Sequence, residues 1–257
     1  MSDAVLARRA ASLLRLVASS AEPIGLSDLA RTSAIPKATC VRILRALVDE
    51  QLIEIEPDTR RYRVSFSLIA LMADRVHADG SFDLLAAEVG RLSEVTSETA
   101  GVDILVGSEV AVVLQVEGPL LISQTRTQVP RRLPLLTTST GKAFLAWHTD
   151  PAFVDAQLDT VDQTDRIRLL DDFARSRDRG YSLAWEELHP GAAAIAAPVQ
   201  IDGHVVCTVW IGGPSFRLTP EQIPILGVHV VDAADRLSTL LRTGRASLAD
   251  LAMTPTA

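Results

Sequence analysis

The chain has 257 residues, 47% of them apolar, enough for one large core or two modest ones, so neither a disordered polypeptide nor a disulfide-stapled mini-domain is expected. Its 2 cysteines, Cys40 and Cys207, stand far apart without a C-x-x-C partner, which excludes a zinc ribbon or iron-sulfur site and fits a reducing, cytoplasmic setting. The net charge of -7 is unevenly spread: residues 1–66 carry 10 Lys/Arg against 8 Asp/Glu, a net of +2, which leaves -9 for the remainder.

Residues 1–20 hold Arg8, Arg9 and Arg15 in an amphipathic pattern with no central apolar run, and no later stretch approaches the roughly 18 apolar residues of a membrane span, so neither export nor membrane insertion is expected. Val5, Leu6, Leu13, Leu14, Leu16 and Val17 recur at helical spacing over 4–18, and Ala21-Glu22-Pro23 closes that helix. A short second helix begins with Ser27 as N-cap and stops before Pro36, whose ring disfavours helical geometry at the preceding residue. A third helix spans 36–51. At 100° per residue, Cys40, Val41, Leu44, Leu47 and Val48 fall on one side and Ala38, Thr39, Arg42 and Ala46 on the other, with Arg45 at the flank. Two strand-like runs, 52–56 and 62–65, flank the tip Pro57-Asp58-Thr59-Arg60-Arg61. Helix, helix, turn, helix and basic hairpin make a winged helix-turn-helix. Its clusters Lys37/Arg42/Arg45 and Arg60/Arg61/Arg63 form a basic surface on an acidic protein, the footprint of a nucleic-acid-binding module.

The stretch LSDLARTSAIPKATCVRILRALVDEQLIEIEPDTRRYRVSFSLIAL closely resembles the N-terminal region of IclR-family transcriptional regulators. It departs at Ala38, where the family usually has Ser, and at Ser65-Phe66, where it usually has Leu-Gly; Thr39 and Arg42 keep the expected types. On this reading Thr39 and Arg42 meet base edges, Lys37 and Arg45 the flanking backbone, and Arg60 or Arg61 the minor groove or phosphates, while Ala38 adds a short side chain to the approach.

Residues 67–80 read as a helix broken by Asp79-Gly80-Ser81, and the resemblance makes it a linker between domains that helps form a dimer, with Leu68, Leu71, Met72 and Val76 as its apolar stripe. Beyond it come a helix over 82–96, strands at 102–106, 110–116 and 120–125, helices near 141–148, 151–158 and 165–179, strands at 181–185, 193–201 and 204–211, and a final helix over 219–243. The tail from 246 lacks any pattern. The segments RRLPLLTTSTGKAFLA and GYSLAWEELHPGAAAIAAPVQIDGHVVCTVWIGGP resemble the family's effector-binding domain, which implies a GAF-like antiparallel sheet flanked by helices. The expected organisation is therefore α+β: a winged helix-turn-helix domain (1–66), a linker helix (67–80), an effector-binding domain (81–245) and a tail (246–257).

Thr137 to Lys142 superficially resembles a phosphate loop, but Leu136 stands where a Walker motif needs Gly and Ala143 where it needs Ser or Thr. What remains is hydroxyl residues and a glycine at a helix N-terminus, which favours a carboxylate; the resemblance places an effector beside Ser139, Thr140 and Gly141. It places a second wall at Ala184, Trp185, Ala194, Trp210 and Gly212, where the family commonly has an acidic residue, Cys or Ser, and small hydroxyl residues. These replacements make the expected pocket less polar, bordered by Trp185 and Trp210, and suited to a small aromatic acid in preference to a two- or three-carbon acid. The 5 histidines show no metal-binding spacing, no G-x-S-x-G is present, and Glu186-Glu187, neighbours on a strand, point to opposite faces.

No catalytic residue, metal or cofactor is expected. The leading reading is a sequence-specific DNA-binding regulator controlled by a small organic effector, acting as a homodimer or dimer of dimers on a palindromic operator. A DNA-binding scaffold without a ligand and a small-molecule enzyme with an appended head are the alternatives.

Overall fold

The computed structural model describes residues 3–20, 22–68, 80–120 and 132–243. The chain divides into two compact units, Met1–Ala78 and Asp79–Ala257.

In the first unit, helices α1 (Asp3–Ala18), α2 (Leu26–Ser33) and α3 (Lys37–Asp49) pack beside a hairpin of β1 (Ile53–Ile55) and β2 (Tyr62–Val64). One apolar core holds it: Leu13 and Val17 from α1, Leu29 from α2, Cys40, Ile43, Leu44 and Leu47 from α3, and Ile53 from β1 are all buried. Full burial of each large aliphatic side chain contributes about 1.5–3 kcal/mol, enough to hold three short helices together. Two expectations change. Gly25, not Ser27, precedes α2, and Ser27 lies in its first turn, where its Oγ accepts from Lys37 Nζ at 3.1 Å. On α3 the buried stripe centres on Cys40, Ile43, Leu44 and Leu47, which leaves Val41 beyond its edge and 45% exposed.

The second unit is a six-stranded antiparallel sheet, in the order β5-β4-β3-β8-β7-β6, from β3 (Thr99–Val106), β4 (Glu109–Val116), β5 (Arg132–Pro134), β6 (Ser182–Trp185), β7 (Ala192–Ile201) and β8 (His204–Pro214). Helices α4 (Ser81–Thr96) and α8 (Ile223–Thr243) cover one face, where Leu85, Val89 and Leu92 meet Val230, Ala233 and Leu237 across Val209 and Ile211. Helices α5 (Ser139–Ala146), α6 (Pro151–Leu158) and α7 (Gln163–Arg179) pack together through Phe144, Leu158, Leu169 and Phe173, and α5 covers the other face through Ala143, which meets Val112, Ala196 and Trp210. The side-chain oxygens of Thr138, Asp150 and Asp162 cap α5, α6 and α7, each accepting one of the N–H groups a helix start leaves unpaired. Asp202 and Gly203 both take positive φ, 50° and 81°, as the tight turn between β7 and β8 requires.

The three-residue strand β5 was not expected; it runs along β4 with Val110 opposite Leu133, ends at Pro134 and is too short to show alternation. The last helix begins at Ile223, because Thr219 to Gln222 form a turn closed by Gln222 N donating to Thr219 O at 2.9 Å. The linker helix beyond Leu68, the strand expected at 120–125 beyond Leu120, and the tail from 246 lie outside the described residues.

Candidate nucleic-acid interface and effector recess

In the first unit the exposed side of α3 carries Lys37, Ala38, Arg42, Arg45 and Ala46, with Thr39 half-buried at its margin. The stripe of Cys40, Ile43, Leu44 and Leu47 anchors the opposite side, so this face is fixed by the core. Val41 joins it, an apolar side chain that the periodicity had assigned to the core. The side chains of Arg42 and Arg45 make no ion pair or hydrogen bond among the described residues, whereas Arg31 is held by Asp28 at 2.6 Å and Arg63 by Glu54 at 2.6 Å. Uncommitted guanidinium groups on a helix flanked by short side chains can enter a major groove and meet base edges.

The wing is set by pairing. Ile24 bridges to Tyr62, and Arg61 Nη1 donates to Pro23 O at 3.2 Å, so the hairpin is tied to the segment before α2. Arg60, exposed at the tip, takes a left-handed φ of 56°, a conformation L side chains seldom adopt. Arg61 is thus partly committed to structure, and Arg60 is the more available cation of the pair.

In the second unit a recess opens between the start of α5, the β6–β7 connection and the sheet. About 480 Å³ of space lies within it, the open solvent at its mouth included. One wall is the α5 entry. Thr138 Oγ1 accepts from Gly141 N at 3.1 Å and donates to Pro134 O at 2.7 Å, which fixes Ser139 and Thr140 at the helix N-terminus facing the recess. The other walls are mainly apolar, with Leu133, Leu188, Ala184, Ala193, Ala194 and part of Trp210.

Of the sequence-predicted effector residues, Ser139, Thr140, Ala184, Ala194 and Trp210 come together here, and Gly141, Trp185 and Gly212 do not line the recess. Gly141 faces the chain at Leu135, whose carbonyl oxygen would lie 2.3 Å from an added Cβ, so its glycine serves packing. Gly212 shares the recess face of β8 but sits opposite Ala194 in the sheet. Trp185 follows Ala184 on a strand, so alternation turns it into the core beneath α4 and α8; the expectation that it borders the pocket is overturned. Trp210 is 93% buried and does not offer an open ring face.

The recess also holds a group that the sequence reading missed. Asp103 on β3 is 1% exposed and lines it. Gly101 lies opposite Trp210, and a Cβ there would stand 2.5 Å from the indole, so glycine lets the ring cross β3 and place Nε1 2.6 Å from Asp103 Oδ1. The Thr140 hydroxyl is a second hydrogen-bond partner of Asp103. Burial raises the Asp103 carboxyl to about 7, against the lowering effect of both hydrogen bonds. Asp103 in turn adds to burial in pushing the Cys207 thiol up to about 12.

Glu187, which lines the recess, accepts from Lys142 Nζ at 2.7 Å, and Asp172 accepts from the same ammonium at 2.7 Å. Lys142, on α5 one turn below the recess, is 1% exposed and committed to these carboxylates.

Residues 6–57 match the IclR helix-turn-helix domain, and residues 82–239 match the family profile described as Bacterial transcriptional regulator IclR C-terminal. The chain belongs to the IclR family. A glycerol operon regulatory protein of Streptomyces griseus is 32% identical over 247 residues, covering 92% of this chain and 96% of its own. The fold is shared with an IclR transcriptional regulator of Alicyclobacillus acidocaldarius (TM-score 0.79, 22% identity, 91% and 98% of the two chains). It is shared too with an IclR homologue of Microbacterium hydrocarbonoxydans solved with 4-hydroxybenzoate (TM-score 0.74, 22% identity, 93% and 99%). As an IclR-family protein with the helix-turn-helix domain, the chain is a DNA-binding transcriptional regulator and not an enzyme.

Proposed function

We propose that this IclR-family regulator reads its operator with α3 and is controlled by a small ring-bearing organic acid held in the recess of its second unit. The observation that carries this is the recess itself: apolar walls of Leu133, Leu188 and Trp210 beside the N-terminus of α5, where Ser139 and Thr140 stand among N–H groups that suit a carboxylate. The apolar walls match a flat apolar body better than a two- or three-carbon acid, which offers them little apolar surface to cover. The 4-hydroxybenzoate seen with the Microbacterium homologue is of this chemical class. On α3, Thr39 and Arg42 read base edges, Lys37 and Arg45 position the helix on phosphates beside Ala38, and Arg60 with Arg61 extends the contact from the wing.

A single recognition helix reads only a few base pairs, so the working species is at least a dimer on a palindrome. Calorimetric titration of the full chain with aromatic carboxylates and with short oxo-acids tests the effector reading. Binding by the aromatic series is expected; tight binding of pyruvate or glyoxylate with the aromatic acids silent would overturn it, and silence of both series would favour the ligand-free scaffold.

A further inference from the structure

We propose that Asp103 is a specificity-determining residue of the recess, selecting an effector that carries a hydrogen-bond donor, a hydroxyl or N–H, in addition to its carboxylate. The proposal rests on the reading of the recess as an organic-acid site and adds the second polar group that the ligand must have.

The first support is placement. Asp103 stands on β3 facing Val112 and Thr208 on the neighbouring strands, at the irregularity between Val102 and Asp103, so its side chain points to the α5 side of the sheet. An acid in an apolar layer is held there by design of its neighbours: Gly101 leaves room for Trp210, and Trp210 Nε1 and the Thr140 hydroxyl both address the carboxyl. Such a group is costly to bury unless its acceptor sites are met.

The second support is what remains unmet. A carboxylate offers about four acceptor positions, and Trp210 with Thr140 accounts for two. Among the described residues the recess lining holds no lysine or arginine to serve the others. Above pH about 7, where the Asp103 carboxyl is ionised, a ligand hydroxyl or N–H would supply the missing donor, whereas a ligand carbonyl or second carboxylate would set acceptor against acceptor in a water-poor space.

The test is a titration of the full chain at about pH 8.5, where Asp103 is ionised, with two matched pairs: benzoate against 3- and 4-hydroxybenzoate, and pyruvate against lactate. In each pair the hydroxylated member adds a donor with little change in bulk. Wild type is expected to prefer it by about 10-fold or more in the pair that fits the recess, the worth of a hydrogen bond to a charged acceptor. Asp103→Asn, close in shape and still able to accept from Trp210, is expected to reduce that ratio to within about 3-fold. A purely structural role would weaken both members of a pair equally, so the ratio separates the two. Equal affinity within both pairs on wild type, or an unchanged ratio in a folded Asp103→Asn variant, would overturn the role of Asp103 while leaving the acid site standing. Silence of all five probes would overturn the acid site and this proposal together. Should Asp103→Asn fail to fold, the wild-type ratios decide the matter alone.

Discussion

The two units place their charges in opposite ways. In the first, every buried large side chain is apolar, Ser65 is the one buried polar residue among those described, and the arginines of α3 and the wing stand outside. In the second, Glu88, Glu98, Asp103 and Lys142 all lie at or below 8% exposure, Glu98 bound by Arg217 through two hydrogen bonds of 2.6 and 2.7 Å and Lys142 bound by two carboxylates. A head that meets the same polyanion each time needs a rigid apolar core and a fixed cationic face. On the proposed function the second unit needs internal groups whose energy a ligand can change, and buried charges are such groups.

The largest expected break in this contrast comes from the Lys142 cluster. Lys142→Ala leaves Asp172 and Glu187 without their common partner, at a cost of about 3 kcal/mol or more, because an uncompensated buried charge is dearer than a lost pair. Arg179 and Arg168, at 3.7 and 3.8 Å from those carboxylates, offset part of it. In urea denaturation of the full chain the transition of the second unit is expected to move while that of the first stays in place; an unshifted second transition would mean that the buried charges store nothing.

Asp103 gives the next effect, and its sign follows from linkage. The folded carboxyl titrates at about 7 and its ordinary value is 3.8, so between these the folded chain holds a proton that the unfolded chain releases. Stability from this group is therefore present below pH about 4, falls as pH rises to about 7, and is level above. Asp103→Asn removes the slope: its advantage over wild type is expected to grow by about 2 kcal/mol between pH 5 and 7.5, read from denaturation curves at each pH. A constant offset would show that burial does not govern this carboxyl.

These two sites also mark where the sequence was legible. The helices and most strands were, since apolar residues at periods of 3.6 and 2 reflect the faces they bury. Trp185 was misplaced because the segment was read as one wall; the alternation already applied to Glu186 and Glu187 would have sent it to the face opposite Ala184. Val41 was assigned to the core because it is apolar and lies at i−3 from Leu44, yet it stands just beyond the buried stripe. Asp103 was not legible as a site: an acid after Val102 in an apolar strand reads as a solvent-facing residue, and only Gly101 two positions earlier hints that another side chain crosses there. The partnership with Trp210, 107 positions away, exists only through the β3–β8 register.

For the head the expected effects are smaller and fall on binding. Arg42→Ala is expected to cost about 1–3 kcal/mol on a selected operator and to relax the preference at one base position, whereas Lys37→Ala weakens all duplexes alike. Gel-shift titrations against selected and random DNA read both; an equal loss on the two DNAs for Arg42→Ala would remove it from the reading set and leave α3 a phosphate-binding helix.

The smallest effect separates stability from binding at a single residue. Arg60 holds φ at 56° on the wing tip, where an L side chain costs about 1–2 kcal/mol relative to glycine and glycine gives back about 0.5–1 kcal/mol through its freer unfolded chain. Arg60→Gly is therefore expected to stabilise the head by up to about 1 kcal/mol in thermal denaturation, although it removes a cation. The same variant is expected to bind DNA more weakly at low salt, with the slope of log affinity against log salt reduced by about one, the signature of one lost phosphate contact. A residue kept against its backbone preference for the sake of DNA shows opposite signs in the two measurements. If Arg60→Gly gains stability and leaves the salt slope untouched, the wing tip is solvated hairpin, and DNA contact belongs to α3 and Arg61 alone.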